Sequence, residues 1–200
     1  RQIDLSVNGL KTNKEIKEFI KLPFKIYKNN PYWVPYIKKD ELRSIDKNYN
    51  PAFDTCDAKF WIALKDNKCV GRIGAIINYL YNERVNEKIG RISRAEFIDD
   101  NEVSDKLFEI AEKWLKEKGM TKVLGPLGFN NLDNQGVLVE GFEHIATVGS
   151  VYHHKYYRQH FERLGYSKEI DLIEFRLKIS DIPEKALRLN EIVKTRLGIK

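Results

Sequence analysis

The chain has 200 residues, 42% hydrophobic and 32% charged, with a formal net charge of +6. That is enough for one domain with a core, and no run of about 18 apolar residues is present to cross a bilayer as a helix. Cys56 and Cys69 form no CxxC and have no second pair, which excludes a disulfide scaffold and a zinc knuckle and predicts reduced thiols in a soluble, cytoplasmic protein.

Residues 1–7 read as an edge strand. Thr12-Asn13-Lys14-Glu15 has the order of a capping box and opens a helix whose apolar face carries Ile16, Phe19, Ile20 and Phe24. Lys14, Lys17, Lys21, Lys25 and Lys28 recur at intervals of three and four, which places them on one helical stripe. That stripe is either a solvated face or a patch for phosphates. No RNA-binding or helix-turn-helix motif accompanies it, so nucleic acid is not an expected partner. Pro23 is expected to kink or split the helix, and Asn29-Asn30-Pro31 to end it. Residues 31–57 read as a long excursion with a short helix near 39–45.

Three antiparallel strands are expected next, at 59–65, 70–81 and 89–97, with Asp66-Asn67 and the polar stretch 82–88 as turns. Gly71 and Gly74 suggest a bulge or a close backbone approach. Val103, Leu107, Ile110, Ala111 and Trp114 mark the apolar stripe of a helix at 102–118, stopped by Gly119. A short strand at 122–124 follows, then a polar loop, 127–136, a helix at 152–164 and a last strand at 168–178. Pro183 opens a terminal helix. The fold class is therefore α/β (α+β): a mixed, mostly antiparallel sheet of six or seven strands, with helices on both faces. The helix at 102–118 crosses between two strands that should run parallel.

This order, with Phe161-Glu162-Arg163-Leu164-Gly165-Tyr166 and the segments VGRIGAIIN, GRISRAEFIDD, GPLGFNN and GVLVEGF, resembles the GNAT (Gcn5-related N-acetyltransferase) superfamily. The resemblance is to a bacterial branch whose members often carry two such domains in tandem. It implies a GNAT-like domain over 1–180, with 181–200 as an arm or linker to a second domain. Met120 is the only methionine, so a longer protein is expected.

The resemblance further implies acyl transfer from acetyl-CoA or another acyl-CoA to a small-molecule or protein amine. The two parallel strands splay apart, and the backbone groups exposed between them pair with pantetheine. Glu96 matches the position of the general base, and Tyr157, one turn before Phe161, is the candidate acid. Asn130, Asn131, Asp133 and Tyr152 are the expected substrate-binding residues. One departure cuts against the cofactor: no glycine lies between Gly90 and Gly119, and Asp99, Asp100 and Glu102 stand where the family's glycine-rich loop meets the diphosphate. The alternative is a non-catalytic GNAT-like half that serves a homodimer or a second domain. His153, His154 and His160 lack the i, i+4 spacing of a helical metal site, so no metal is expected.

Overall fold

The computed structural model describes residues 4–147, 149–175 and 183–198. They fall in two compact units, Arg1–Ser167 and Lys168–Lys200. The first unit is built on a five-stranded sheet in the spatial order β1-β2-β3-β4-β5. Its strands are β1 (Leu5–Gly9), β2 (Cys56–Lys65), β3 (Lys68–Asn78), β4 (Ile89–Phe97) and β5 (Lys122–Leu124). The first three pairings are antiparallel. β4 and β5 run parallel, with Ile89 opposite Lys122 and Arg91 opposite Leu124. The crossover between them is α4 (Asn101–Glu117). This is the mixed sheet that the sequence order predicts.

Each face of the sheet carries its own helices. Val103, Leu107, Phe108, Ala111 and Leu115 of α4 pack on Ile73, Ala75, Ile92 and Phe97. α5 (Tyr156–Arg163) joins this layer through Tyr157 and Phe161. The opposite face receives α1 (Asn13–Ile26), whose Phe19, Ile20 and Leu22 cluster with Phe60, Ile62 and Ile76. Gly71 and Gly90 let α4 lie close: a Cβ on either would come within 2.6 Å of Leu107 or Leu115.

The capping box at Thr12 and Glu15 forms in both directions. α1 continues through Pro23 to Ile26 rather than splitting there, and Tyr27 caps it. α2 (Lys38–Ile45) is the short helix of the excursion, followed by a 3-10 turn at Pro51–Asp54.

Two expectations need correction. The third strand of the sheet stops at Asn78, not at 81, because the Asn78 side chain caps Tyr81 N and opens α3 (Tyr79–Val85), across the predicted strand end and the first part of the turn predicted at 82–88. The expected strand at 168–178 is not formed over 168–175, which is irregular and exposed. Its remaining residues, 176–178, lie outside the described ones. Five strands are therefore present among the described residues, not six or seven.

The second unit carries α6 (Glu184–Leu197), ended by Gly198 in the left-handed conformation. Among the described residues no helix is long and apolar enough to cross a membrane.

Candidate active site at the free end of the fourth strand

β5 is short and β4 is long. After Leu124 the chain leaves the sheet through Gly125-Pro126, and Leu127 N reaches back to Ile92 O, at 2.8 Å. From Ser93 to Phe97, β4 has no strand on that side among the described residues. A register shift between Arg72 and Gly74 bulges the β3–β4 ladder there, and Arg94 takes a φ of 50°. The break re-aims side chains at the strand's end.

Glu96 sits at this free end, half-buried. Its Oε2 accepts hydrogen bonds from the Tyr27 and Tyr157 hydroxyls, each at 2.7 Å. The Tyr157 oxygen in turn accepts from Phe97 N at 3.1 Å, and the Tyr156 hydroxyl donates to Phe97 O at 2.6 Å. Two tyrosine hydroxyls therefore pair with the backbone N and O of Phe97, at the end of the edge that β5 leaves open. Burial, followed by the neighbouring Glu96 charge, pushes the Tyr27 and Tyr157 hydroxyls far above the ordinary phenol range. Both remain protonated donors to the carboxylate at neutral pH.

Aromatic rings wall the cluster. Tyr27 stacks between Trp33 and His154, with centroids at 5.2 and 4.9 Å, and meets Tyr152 edge-on at 6.0 Å. His153 is buried 4.8 Å from the Tyr157 ring, and its Nδ1 accepts from Leu138 N at 3.3 Å. Burial pulls the His153 pKa down, which keeps the ring neutral. Beside this wall opens a cavity of about 520 Å³, lined by Tyr152, His154, Lys155, Tyr156, Phe142 and Asp99, among others.

Beneath Glu96 lies a buried ion network. Arg72, opposite Glu96 in the β3–β4 register, reaches Glu41 at 3.2 Å, and Arg94 reaches the same carboxylate at 2.9 Å. Although burial opposes ionisation, the two guanidiniums hold the Glu41 carboxyl below its ordinary range. Arg72 also donates to Phe19 O and to the Tyr36 oxygen, but its Nε has no partner among the described residues.

The structure brings Glu96, Tyr157 and Tyr152 into one aromatic cluster. Asn130, Asn131 and Asp133 are placed elsewhere. Asp133 Oδ2 accepts from Phe129 N at 2.6 Å and Asn130 Oδ1 accepts from Leu132 N at 2.8 Å, so these side chains build their own turn. Arg91 ties that loop to the earlier part of β4 through Gly128 O and Phe129 O. Asn131 is exposed. Sequence reasoning missed Tyr27, Trp33 and the Arg72–Glu41–Arg94 network. Tyr27 continued the apolar face of α1 and carried no signal that its hydroxyl meets a carboxylate 69 positions away.

An acyl-CoA has to satisfy two regions. The cavity is walled by Tyr156, Tyr152, His154 and Lys155, the aromatic neighbours of the Glu96 cluster rather than Glu96 itself. The first amides of α4 do not suit a diphosphate. Asp100 caps them itself, accepting from Glu102 N at 3.0 Å and Val103 N at 3.4 Å, and it is held charged chiefly by Lys65 at 2.6 Å. Asp99 is bonded to His160 Nε2 at 2.9 Å, and His160 Nδ1 to Ser104 Oγ at 2.8 Å.

A splayed parallel pair with a crossover helix, at the end of an antiparallel sheet, is the fold of the GNAT acyltransferases. Three solved structures place it there. An aminoglycoside acetyltransferase from an uncultured soil metagenomic sample, in complex with sisomicin, matches with a TM-score of 0.51 and 15% identity over 87% of this chain and 97% of its own. An aminoglycoside N-acetyltransferase in complex with CoA matches at 0.52 and 12%, over 89% and 97%. A predicted acetyltransferase with acetyl-CoA from Clostridium acetobutylicum matches at 0.53 and 12%, over 86% and 96%.

No family model matches the chain. Among curated proteins it is 35% identical over 170 residues to Protein YghO of Escherichia coli, covering 84% of the chain and 43% of that protein. It is 32% identical over 187 residues to the bacterial ceramide synthase of Caulobacter vibrioides, covering 92% and 49%. The chain thus spans about half the length of the curated relatives it matches.

Proposed function

We propose that this chain is the acyl-transfer domain of an N-acyltransferase, which joins an acyl group from a thioester donor to a primary amine. The carrying observation is the Glu96 carboxylate, held by two tyrosine hydroxyls beside a cavity at the free end of β4. An acyl-CoA bound with its thioester at that cavity supplies the activated acyl group. Glu96 takes a proton from the amine, through a water or directly, so that the nitrogen lone pair can attack the acyl carbon. Tyr157 gives its hydroxyl proton to the departing thiolate and regains one from Glu96. The carboxylate and the neutral phenol are both restored, and the net transfer is one proton from nitrogen to sulfur. Because Tyr157 is a weaker acid than free phenol, its loss of a proton has to coincide with that gain from Glu96.

Likeness to a ceramide synthase supports a lipid acceptor. Ceramides are N-acylated long-chain amino alcohols, so the amine proposed is that of a long-chain amino alcohol. The test is acyl transfer by the purified chain from short- and long-chain acyl-CoAs to a panel of small and long-chain amines. Glu96→Gln should lower kcat by about 10²-fold or more while leaving the melting temperature near that of the wild type. Full activity in that variant would remove Glu96 as base.

A second reading has its own observation. Asp100 already occupies the α4 amides that would meet a diphosphate, as a non-catalytic module would allow. Such a domain would serve a second copy or an active partner domain. No transfer to any amine, and no thermal shift with CoA, would favour it.

A further inference from the structure

On the α1 face of the sheet a second, smaller groove of about 240 Å³ lies between α1 and α2. Its floor is apolar, formed by Ile16, Ile20 and Leu42, and its rim is lysine: Lys17 and Lys21 from α1, Lys38 and Lys39 from α2. No acidic residue lines it. The nearby acids are engaged elsewhere: Glu15 in the capping box, Glu18 with Lys25, and Glu41 with Arg72 and Arg94. Asp40 is the exception, exposed on α2.

Beside the groove the chain projects apolar side chains outward. Ile37 is 68% exposed, and Val34 is also exposed. Trp33 and Tyr36 pack edge-on against Phe24, and Lys38 Nζ sits 4.2 Å over the same ring. Lysines around an apolar floor, with protruding aliphatics and an aromatic layer beneath, match an interface that is anionic outside and hydrocarbon within. Val34 and Ile37 add exposed apolar surface to the same lysine-rich segment.

We infer that the α1–α2 face docks the protein on an anionic phospholipid surface, with Val34 and Ile37 entering the headgroup layer and the four lysines against lipid phosphates. The docking stands without the acyltransferase reading. If that reading also holds, the docked face is one ring from the reaction centre, since Trp33 stacks on Tyr27 and Tyr27 bonds to Glu96.

The experiment is co-sedimentation of the chain with vesicles of phosphatidylcholine alone and of phosphatidylcholine mixed with phosphatidylglycerol. Binding is expected only to the mixed vesicles, and it should collapse at about 1 M salt, where the Debye length is about 3 Å. Each lysine at such a surface is worth roughly fivefold, so the exposed pair Lys17→Gln/Lys21→Gln should weaken binding by about 30-fold. Ile37→Ser should weaken it further, and Lys113→Gln/Lys116→Gln on α4 should leave it unchanged. Three outcomes would overturn the inference: equal sedimentation with both vesicle types, equal loss in the α4 pair, or no loss in the α1 pair. Displacement by millimolar inorganic phosphate would also overturn it, and would mark a site for a free anion instead.

Discussion

Removing the Tyr157 hydroxyl tests the geometry of the β4 end independently of any activity. Tyr157→Phe keeps the ring that packs on Phe97, His153 and Tyr156 and deletes one oxygen. With it go a bond to the Glu96 carboxylate, a longer contact to Phe97 O at 3.3 Å and the acceptor for Phe97 N. A hydrogen bond to a charged group is worth about 1.5–3 kcal/mol, and a buried N–H left without a partner costs a further 1–3 kcal/mol, roughly. Tyr27→Phe is the matched control, since its hydroxyl donates to Glu96 and adjoins the Tyr157 hydroxyl but holds no backbone group among the contacts described. Thermal and urea unfolding of the two variants should separate them by about 1–3 kcal/mol, with Tyr157→Phe the weaker. In a domain of this size that is a gap of about 2–4 °C in Tm per kcal/mol. Equal losses, or a larger loss in Tyr27→Phe, would show that Phe97 N does not depend on the phenol and would refute the proposed end of the strand.

Other consequences are direct. Glu41→Ala leaves Arg72 and Arg94 buried without their shared carboxylate and should cost about 3–5 kcal/mol by urea denaturation, as breaking a buried pair does. His153 titrates lower in the folded than in the unfolded chain, so the unfolded state binds more protons on acidification. Its stabilisation is complete above its ordinary value of 6.5 and lost as pH falls through the depressed folded value. The urea midpoint of the wild type should therefore fall between pH 7 and about pH 5, and His153→Gln should flatten that fall. Gly71→Ala drives a methyl to 2.6 Å from Leu107 Cδ1, and equilibrium unfolding should register about 1–3 kcal/mol of overpacking.

The sequence carried the scaffold because the scaffold depends on local periodicities. The stripe Val103, Leu107, Ile110, Ala111 and Trp114 specifies α4 and its buried side. The alternating strands and the Thr12–Glu15 cap specify their elements with similar force. Where a short-range signal competed, the reading failed. Tyr79-Leu80-Tyr81 looks like strand by composition, yet the Asn78 cap turns it into helix. The stretch 168–175 has strand-like residues but pairs with nothing among the described ones. The site was only half legible for a related reason. Glu96 and Tyr157 could be named from a resemblance, whereas Tyr27 reaches Glu96 only through tertiary packing, and Trp33 and His154 join the cluster by stacking on Tyr27. Asn130, Asn131 and Asp133 looked available for ligand because Asn and Asp are polar, but turns consume the same groups.

The two ends of the cavity point to a division of labour within the fold. At α4, Asp100 caps Glu102 N and Val103 N, with the Lys65 ion pair and the Asp99–His160–Ser104 chain beside it. That arrangement stabilises α4 whether or not an anion is nearby. At β4, tyrosine hydroxyls do the corresponding service, closing Phe97 N and O. A helix cap has no proton to pass on, since Asp100 only accepts. A tyrosine that caps a strand edge keeps a hydroxyl proton shared with Glu96, and its neighbour Tyr156 lines the cavity. The two closures therefore differ in what they permit. The first leaves Glu102 N and Val103 N already paired. The second pairs the Phe97 backbone and keeps a tyrosine hydroxyl on the Glu96 carboxylate, so under the proposed function the free end of β4, rather than the start of α4, is where acyl transfer should be sought.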